Sequence, residues 1–509
     1  MTDARIATPR QGARPKRPSL LARVPAAFVR AVLKGHSSLG LAFAAAIYIV
    51  CVTGTLAVFM REFQRWENPH APIVATVSPN AAQAALEGAI GVHGGAIEHA
   101  FLYPARDDLP WLMVSAGAGE EYREWLADGS GRIVAEERSP WTDFMVELHT
   151  RLHMPHAWGR FLVGLVGVAL LSSLISGLLA HPRIFRDAFH LRLGGSRRLQ
   201  EADLHNRLGV WAMPFHLVVS ATGAFLGLTT LVVGVLGFAL FQGDVGKVYA
   251  LFFPAEPKDN PALARVIDLR PMYADVAARE PGSRITFVRL EHPTEQGGAA
   301  AFDIETPGGG LFNSATYAYA RTGGAYHVSR LGDATVGQQV VAATGALHFG
   351  WFGGGAIKIA YGLLGLAMSY LAASGVTIWL ARRRDKGNPA PRWERVWAAC
   401  VWGQPVALAA AAVLGVAMPG IATGTLLAVW LAVSLAIVAW AVAGAEAAKL
   451  GRAARIATAA LLVVAALLHL SWRGGIGGDP MGVVVDAALI AGAVLLAWPL
   501  RPWRMVAAK

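Results

Sequence analysis

Residues 36–54 read HSSLGLAFAAAIYIVCVTG, an apolar run that a histidine opens and a Thr-Gly pair closes. Residues 205–223 read HNRLGVWAMPFHLVVSATG, with the histidine, the Leu-Gly pair and the Thr-Gly pair at the same spacing. Each run is about long enough to cross a hydrocarbon core, which takes about 20 apolar residues. The two stretches therefore predict a pair of equivalent membrane helices and an internal duplication.

A second pair of segments extends this repeat. In both of them a Leu-His pair precedes a Gly-x-x-Gly and a Ser-Gly, at 148–149, 164–167 and 176–177 in the first unit and at 347–348, 362–365 and 374–375 in the second. One residue of slippage separates the histidine from the helix. Chance similarity between apolar helices is the competing explanation, and four motifs in register disfavour it. Residues 36–380 are thus predicted to be two parallel units, related by a pseudo-two-fold axis along the membrane normal.

The composition also indicates a membrane protein. Of 509 residues, 54% are hydrophobic and 16% are charged, whereas a soluble domain carries roughly 25% charged residues. The two cysteines, Cys51 and Cys400, lie in apolar runs, and we interpret them as small buried side chains. Hydropathy predicts a mainly α membrane protein with about eight transmembrane helices, at 39–60, 159–180, 208–241, 356–380, 397–419, 423–444, 454–472 and 481–500.

The basic residues carry a topology signal. The formal net charge is +11, and Lys and Arg are concentrated in 1–35, 181–207, 381–395 and 445–455. These segments share one side of the membrane if the helices alternate, and the positive-inside rule makes that side cytoplasmic. We therefore expect a multi-pass protein of a lipid bilayer with both termini in the cytoplasm. Because no soluble basic domain is present, we expect no nucleic-acid partner.

Two long polar inserts lie on the opposite side. Residues 61–148 and 242–347 contain alternating stretches, turn signals and one helix-like segment each, which predicts two small α+β domains. The predicted organisation is a basic arm (1–35), first helix (36–60), outer domain (61–148), second helix (149–180), cytoplasmic loop (181–207), third helix (208–241), outer domain (242–347), fourth helix (348–380), linker (381–395) and a C-terminal four-helix region (396–509).

The histidines of the repeat are the candidate site residues. Equivalent residues of parallel repeats lie at equal depth, so His36 is placed to meet His205 near the cytoplasmic face, and His149 to meet His348 near the outer face. Two facing imidazoles inside a helical bundle are typical ligands of b-type haem. A single histidine at a membrane boundary is more often an interfacial polar side chain, but the repeat favours ligation. The sequence predicts two haem b groups.

Two further histidines are candidates without a repeat partner. His153 lies one turn after His149, on the same helical face, and we consider it as a ligand or a contact to a haem propionate. His216 lies three turns beyond His205, and its repeat equivalent is Ile47. An ionisable residue at that depth is functional by default, so His216 is interpreted as a second ligand or a proton-transfer group. These alternatives leave the haem number and pairing open.

These motifs resemble the PepSY-associated transmembrane family, which includes iron-regulated inner-membrane proteins and ferric-siderophore reductases. The resemblance covers about 36–385, although the PepSY motifs in 79–140 and 271–335 are degenerate. It implies a bacterial inner-membrane protein with two periplasmic PepSY-like domains and b-type haems, whose histidines map onto His36, His149, His205 and His348. The helices after 396 lie outside the shared region. Their polar candidates are His469, Asp486 and Glu446, and their role is open.

The working hypothesis is an electron conduit and an oxidoreductase. A cytoplasmic donor or a quinol would supply electrons, and ferric iron held by a siderophore would be reduced at the periplasmic face. Siderophore oxygens are hard ligands that favour Fe(III), so reduction weakens their hold on the metal. The alternatives are a non-enzymatic PepSY binding or sensor module, and a permease for siderophore or haem.

Overall fold

The computed structural model describes residues 25–119, 121–180, 197–253, 260–308, 310–472 and 478–498. Within them, six helices are long and apolar enough to cross a membrane, and the number rises to eight if each of two bent helix pairs forms one crossing. The predicted number, about eight, equals the upper figure. Most of the basic arm and residues 181–196 of the predicted cytoplasmic loop lie outside the described residues.

The helices follow the two units and the C-terminal region in order. The first unit contains α1 (Ala26–Ala42), α2 (Ala44–Ala57), α3 (Met60–Glu67), α4 (Pro79–His93), α5 (Pro140–Arg151) and α6 (His156–Ala180). The second contains α7 (Arg197–Trp211), α8 (Met213–Gly227), α9 (Thr229–Phe241), α10 (Val245–Tyr249), α11 (Arg270–Arg279), α12 (Val336–Phe349) and α13 (Gly354–Asp385). The C-terminal region contains α14 (Pro391–Ala417), α15 (Thr423–Val442), α16 (Ala447–Trp472) and α17 (Pro480–Ala497).

The first helix of each unit is bent, not straight. The chain turns by 68° between α1 and α2 and by 71° between α7 and α8. The breaks fall at Phe43 and Ala212, which are equivalent in the repeat. Pro214 follows the second break, but the first unit has Ala45 at the equivalent position and bends equally, so a proline is not required for the bend. His36 and His205 both lie on the helix that precedes the bend.

The second histidine of each unit lies on a separate short helix. His149 is on α5 and His348 is on α12, each ahead of the long membrane helix that follows. Residues Leu152 and His153 adopt φ 52° and end α5, and Gly350 adopts φ 74° and ends α12. A left-handed residue cannot continue a helix. These histidines therefore do not begin the membrane helices at 149 and 348, where the predicted boundaries placed them.

The two outer inserts form one sheet. Its strands are β1 (His99–Tyr103), β2 (Leu112–Ala118), β3 (Glu121–Ala127), β4 (Ile133–Glu136), β5 (Arg284–Glu291), β6 (Ala299–Glu305), β7 (Ser314–Ala320) and β8 (Ala325–Arg330). They lie antiparallel in the order β4-β3-β2-β1-β5-β6-β7-β8. Strand β1 pairs with β5, from His99 opposite Glu291 to Leu102 opposite Val288. The expectation of two small separate domains is corrected, since one strand pair and one core join them.

The shared core lies on one face of this sheet. Alternate strand residues such as Leu102, Val288 and Phe302 are fully buried there against α4 and α11. Helix α4 begins at Ser78, whose hydroxyl accepts a hydrogen bond from the backbone N–H of Ala81, as an N-cap does. The buried, alternating strand residues of both inserts thus pack into a single apolar core.

The C-terminal helices pack beside the first unit. Helices α14 to α17 contact one another, and α14, α15 and α17 also contact α5 or α3. Their shared core includes Trp66, Trp141, Phe144, Leu408 and Val485. The C-terminal region is therefore docked on the first unit, beside the helix that carries His149.

Candidate paired histidine sites in the membrane

His36 and His205 line one cavity near the ends of α1 and α7. The cavity measures about 180 Å³ and is bounded mainly by apolar and small side chains, among them Gly40, Gly177 and Gly375. The structure therefore brings the predicted inner pair to the wall of one apolar cavity.

His149 and His348 line a second cavity, of about 350 Å³. Their ring centroids lie 6.3 Å apart, and the two ring planes differ by 18°. The cavity is again mostly apolar, with Gly54 and Gly223 in its wall and the exposed Arg160 at its rim. The rings of His149 and His348 thus lie near each other in a cavity lined by glycines and aliphatic side chains.

The hydrogen bonds of the outer pair are equivalent in the two units. Nδ1 of His149 donates to the carbonyl of Val50 at 3.0 Å, and Nδ1 of His348 donates to the carbonyl of Val219 at 3.2 Å. Val50 and Val219 occupy the same repeat position. Because a carbonyl can only accept, the proton is on Nδ1, and in the neutral ring the lone pair is on Nε2.

The inner pair is anchored in a similar way. Nδ1 of His36 donates to the carbonyl of Ser173 at 2.9 Å, and the hydroxyl of Ser176 lies 3.2 Å from the same nitrogen. Nδ1 of His205 lies 2.8 Å from the hydroxyl of Ser374, which itself donates to the carbonyl of Leu371. Ser176 and Ser374 are the repeated Ser-Gly serines. Bonds of this type fix the tautomer and ring orientation of a metal-binding histidine.

The repeated glycines are where the histidine rings need space. A Cβ atom at Gly54 would lie 2.6 Å from Cε1 of His149, and one at Gly223 would lie 2.8 Å from Cε1 of His348. At the inner pair the equivalent distances are 3.3 Å from Gly177 to His36 and 3.7 Å from Gly375 to His205. The Thr-Gly and Ser-Gly motifs therefore seat the four rings. The motifs were visible in the sequence, but this role was not predicted.

His153 is not brought into either cavity. Its Nε2 lies 2.9 Å from the carbonyl of Phe144, and its Nδ1 lies 3.0 Å from a carboxylate oxygen of Glu147. Its ring stacks on that of Phe144 at 4.9 Å. Both ring nitrogens are thus engaged by the protein. The left-handed backbone at 152–153 turns this side chain back along α5, which the helical spacing could not reveal.

His216 lies between the two cavities in depth but is not among the described side chains that line them. It is fully buried, and Nε2 lies 3.3 Å from the carbonyl of Leu364. Its repeat equivalent, Ile47, lines both cavities, as does Leu170. A layer of side chains that includes Ile47 and Leu170 therefore separates the inner from the outer cavity. His216 occupies in the second unit the position that Ile47 has in the first.

Buried carboxylates surround the start of α5, outside the membrane helices. Glu67 accepts hydrogen bonds from the backbone N–H groups of Trp141 and Thr142, both at 2.9 Å. Burial raises the pKa of Glu67 to about 7. Burial, with the negative charge of neighbouring carboxylates, also raises the pKa of Glu137 to about 8. The helix that carries His149 thus begins among carboxyl groups that titrate near neutral pH.

The donor set fits a b-type haem. Two metal–imidazole bonds of roughly 2 Å, with the ring half-widths added, separate facing ring centroids by about 6 Å, and the outer rings lie 6.3 Å apart. At the outer pair the anchored Nδ1 groups leave Nε2 as the atom that would ligate a haem iron. The apolar cavities with glycines beside the rings suit a planar apolar macrocycle. At the inner pair Nδ1 is likewise anchored, by Ser173 and Ser374.

The fold and these sites define a multi-pass membrane protein built from two parallel units, with paired histidines inside the bundle and a shared sheet outside it. The chain belongs to the family described as the PepSY-associated TM region, whose model matches residues 33–382. The resemblance noted from the sequence is thereby confirmed at the level of the family. Helices α14 to α17 lie beyond the matched region.

One curated relative is the uncharacterized protein PA4219 of Pseudomonas aeruginosa. It is 32% identical over 265 residues, which cover 48% of this chain and 64% of the relative. The match thus spans less than two thirds of the relative's length. Its description assigns it no activity.

Proposed function

We propose that this protein binds two b-type haems and carries electrons across a bacterial inner membrane to ferric siderophores in the periplasm. The observation that supports this most is the repeated anchoring of the four histidines, His36, His149, His205 and His348, around two apolar cavities. A binding or sensor module, or a simple anchor, has no need of two equivalent pairs at two depths.

The haem, when bound, supplies a one-electron Fe(III)/Fe(II) couple. The chain's own residues do the rest. Nε2 of each histidine ligates, and the Nδ1 bonds to Val50 and Val219 hold the outer rings in place. Arg160 at the rim of the outer cavity offers a cation to an anionic group such as a propionate. Because Ile47 and Leu170 border both cavities, the two sites are close enough to exchange electrons through one layer of side chains.

The direction of transfer follows from the predicted topology. The inner pair lies towards the Arg-rich cytoplasmic segments, so a cytoplasmic donor or quinol would reduce that site. The outer pair lies on the side of the eight-stranded sheet, where a ferric siderophore would accept the electron. Reduction to Fe(II) weakens the binding of iron to hard oxygen ligands, and the metal is then released.

The first test is a visible spectrum with a haem-to-protein ratio for the purified chain and four single variants. H149A and H348A should each remove the same haem, and H36A and H205A should each remove the other. H70A is the control, because His70 is exposed in the periplasmic part. Colourless protein produced with ample haem, or four variants with unchanged haem content, would support the binding-module alternative.

The second test addresses the substrate. Reduced protein mixed anaerobically with a ferric siderophore should reoxidise, and a ferrous chelator should trap Fe(II). The outer-pair variants should abolish reoxidation by the siderophore, while the inner haem still accepts electrons. Fully haem-loaded protein that reduces no ferric chelate would contradict the reductase proposal.

A further inference from the structure

The C-terminal helices meet the first unit through consecutive polar residues of α3. Arg65 donates two hydrogen bonds to the carboxylate of Asp479, at 2.7 and 2.6 Å, and the next residue, Trp66, donates from its indole N–H to Asp486 at 2.8 Å. In the second unit the residues at the positions of Arg65, Trp66 and Glu67 are Gly234, Val235 and Leu236. The polar contact surface therefore exists only where the extra helices dock.

Trp66, Asp486 and His469 form a buried triad within that surface. One oxygen of Asp486 accepts from Trp66, and the other lies 2.6 Å from Nδ1 of His469. His469 is fully buried, and Asp486 and Trp66 are each 1% exposed. Both oxygens of Asp486 are thus engaged, and Nε2 is the nitrogen of His469 that does not contact Asp486.

Nε2 of His469 is buried without a hydrogen-bond partner in the described part of the chain. Gly482 closes off the space beside it, since a Cβ there would lie 3.1 Å from Nε2 and 2.8 Å from Cε1. The gap is too small for a further ligand atom but large enough for a hydrogen. A buried nitrogen left unpaired requires an explanation, and an ionisable group within a membrane helix is functional by default.

The charges around His469 favour proton binding. Arg65 and Asp479 neutralise each other, which leaves the negative charge of Asp486 uncompensated among the described neighbours. Leu408 and Ala411 of α14 and Leu426 of α15 belong to the apolar core that packs here with Trp66. Another buried carboxyl group, that of Glu67, belongs to the residue after Trp66. A proton on Nε2 would turn an isolated buried charge into an imidazolium–carboxylate pair, which a low-dielectric interior prefers.

The triad is also linked to the outer site. The residue after Trp66 is Glu67, which caps the start of α5, and α5 carries His149 near its other end. The rings of Trp66 and Trp141 lie 6.4 Å apart, edge to face. Charge added near His149 would therefore be felt at His469, because electrostatic interactions between buried groups are only weakly screened.

We propose that Trp66, Asp486 and His469 form a proton-binding site that compensates the charge of an electron on the outer histidine pair. This inference rests on the proposed function. When the outer site gains one electron, Nε2 of His469 forms an N–H bond with one proton from periplasmic water. When the electron leaves, that bond breaks and the proton returns. No electron passes through the triad.

The test is proton uptake on reduction, measured in weakly buffered detergent solution for the haem-loaded wild type and H469Q. Glutamine can still donate to Asp486 but has no titrating nitrogen. We expect H469Q to lose proton uptake and the pH dependence of the outer midpoint potential, which is about 59 mV per pH unit for one proton per electron. D486N should lose both as well, and H70Q, at an exposed site, should keep both.

Equal proton uptake and equal pH dependence in wild type and H469Q would overturn the proposal. A second readout does not depend on haem. In protein with ¹³C-labelled histidine, one imidazole signal that H469Q deletes should titrate between about pH 5 and 8. If no haem binds and that signal titrates, the proposed electron conduit fails while the proton site stands. If the signal never titrates, the proton site fails.

Discussion

At the residue scale, four glycines and four histidines of the duplicated units are fitted to one another. The four Nδ1 atoms contact backbone carbonyls or serine hydroxyls that recur at equivalent positions. The repeated Gly of each Thr-Gly or Ser-Gly pair leaves room for the ring. Substitution of these glycines by slightly larger residues should therefore displace the histidine rings while the overall fold is kept.

Gly223→Ala is the sharpest residue-scale test. The added methyl would lie 2.8 Å from Cε1 of His348, so the ring must move. Overpacking of this kind costs about 1–3 kcal/mol, and we expect the outer haem signal to weaken or vanish in the visible spectrum. Gly234→Ala is the matched control, because nothing lies within 4 Å of its Cβ. Equal spectra for the two variants would mean that His348 is not held at this position.

At the scale of elements, the short helices α3 and α5 connect the C-terminal region to the outer pair. Helix α3 is bound to α17 through Arg65 and Trp66, and its last residue, Glu67, caps α5. Trp141 of α5 also donates to the carbonyl of Leu408 at 3.2 Å. The extra helices thus stabilise the part of the first unit that carries His149.

Asp479→Ala should show the strength of this connection. The side chain of Asp479 is 1% exposed and that of Arg65 is 11% exposed, so removal of the carboxylate leaves a buried guanidinium without its partner. Such a loss costs about 3–5 kcal/mol, and the unfolding temperature in detergent should fall. Glu446→Gln is the control, because its contact with Lys449 is exposed and worth under about 1 kcal/mol. Equal unfolding temperatures for both variants would contradict this assignment.

The buried carboxyl groups at the start of α5 predict a pH-dependent stability. The pKa of Glu137 is raised from 4.5 to about 8, and that of Glu67 from 4.5 to about 7, chiefly by burial. A carboxyl group with a raised pKa in the folded state contributes stability in acid, and this contribution is lost as the pH rises through the folded value. The unfolding temperature should therefore fall between about pH 4.5 and pH 8.

Glu137→Gln with Glu67→Gln should flatten that dependence, because neither amide titrates. Asp128→Asn is the control, since the carboxyl of Asp128 is hydrogen-bonded and its pKa is lowered to about 2, below this range. A double variant with the same slope as the wild type would show that other groups set the pH dependence.

At the scale of the whole molecule, the pseudo-two-fold axis relates the membrane helices and the strands alike. It passes between β1 and β5, so the inserts are equivalent halves of one sheet. The C-terminal helices break this symmetry, because they contact α3 and α5 in the first unit but only α13 in the described part of the second. The two histidines of the outer pair therefore have unequal surroundings.

The predicted topology can be tested on the intact protein. Single cysteines at Ser130 and Thr322, in exposed turns of the two inserts, should react with a membrane-impermeant thiol reagent added to spheroplasts. A cysteine at Arg384, in the basic last turn of α13, should react only after the membrane is permeabilised. Cys51 and Cys400 are replaced first. Protection of either insert in intact spheroplasts would overturn the assignment of the sheet to the periplasm.

The sequence by itself determined the membrane class, the duplication and which histidines correspond, because apolar length and motif spacing are local properties of the chain. It also located His469 and Asp486, but not Trp66 as their partner. Only the tertiary structure decided the bends at Phe43 and Ala212, the turning away of His153, the single sheet and the docking of the C-terminal helices. These features depend on contacts between residues far apart in the chain, such as Trp66 with Asp486 and β1 with β5, and no spacing within one segment records such contacts.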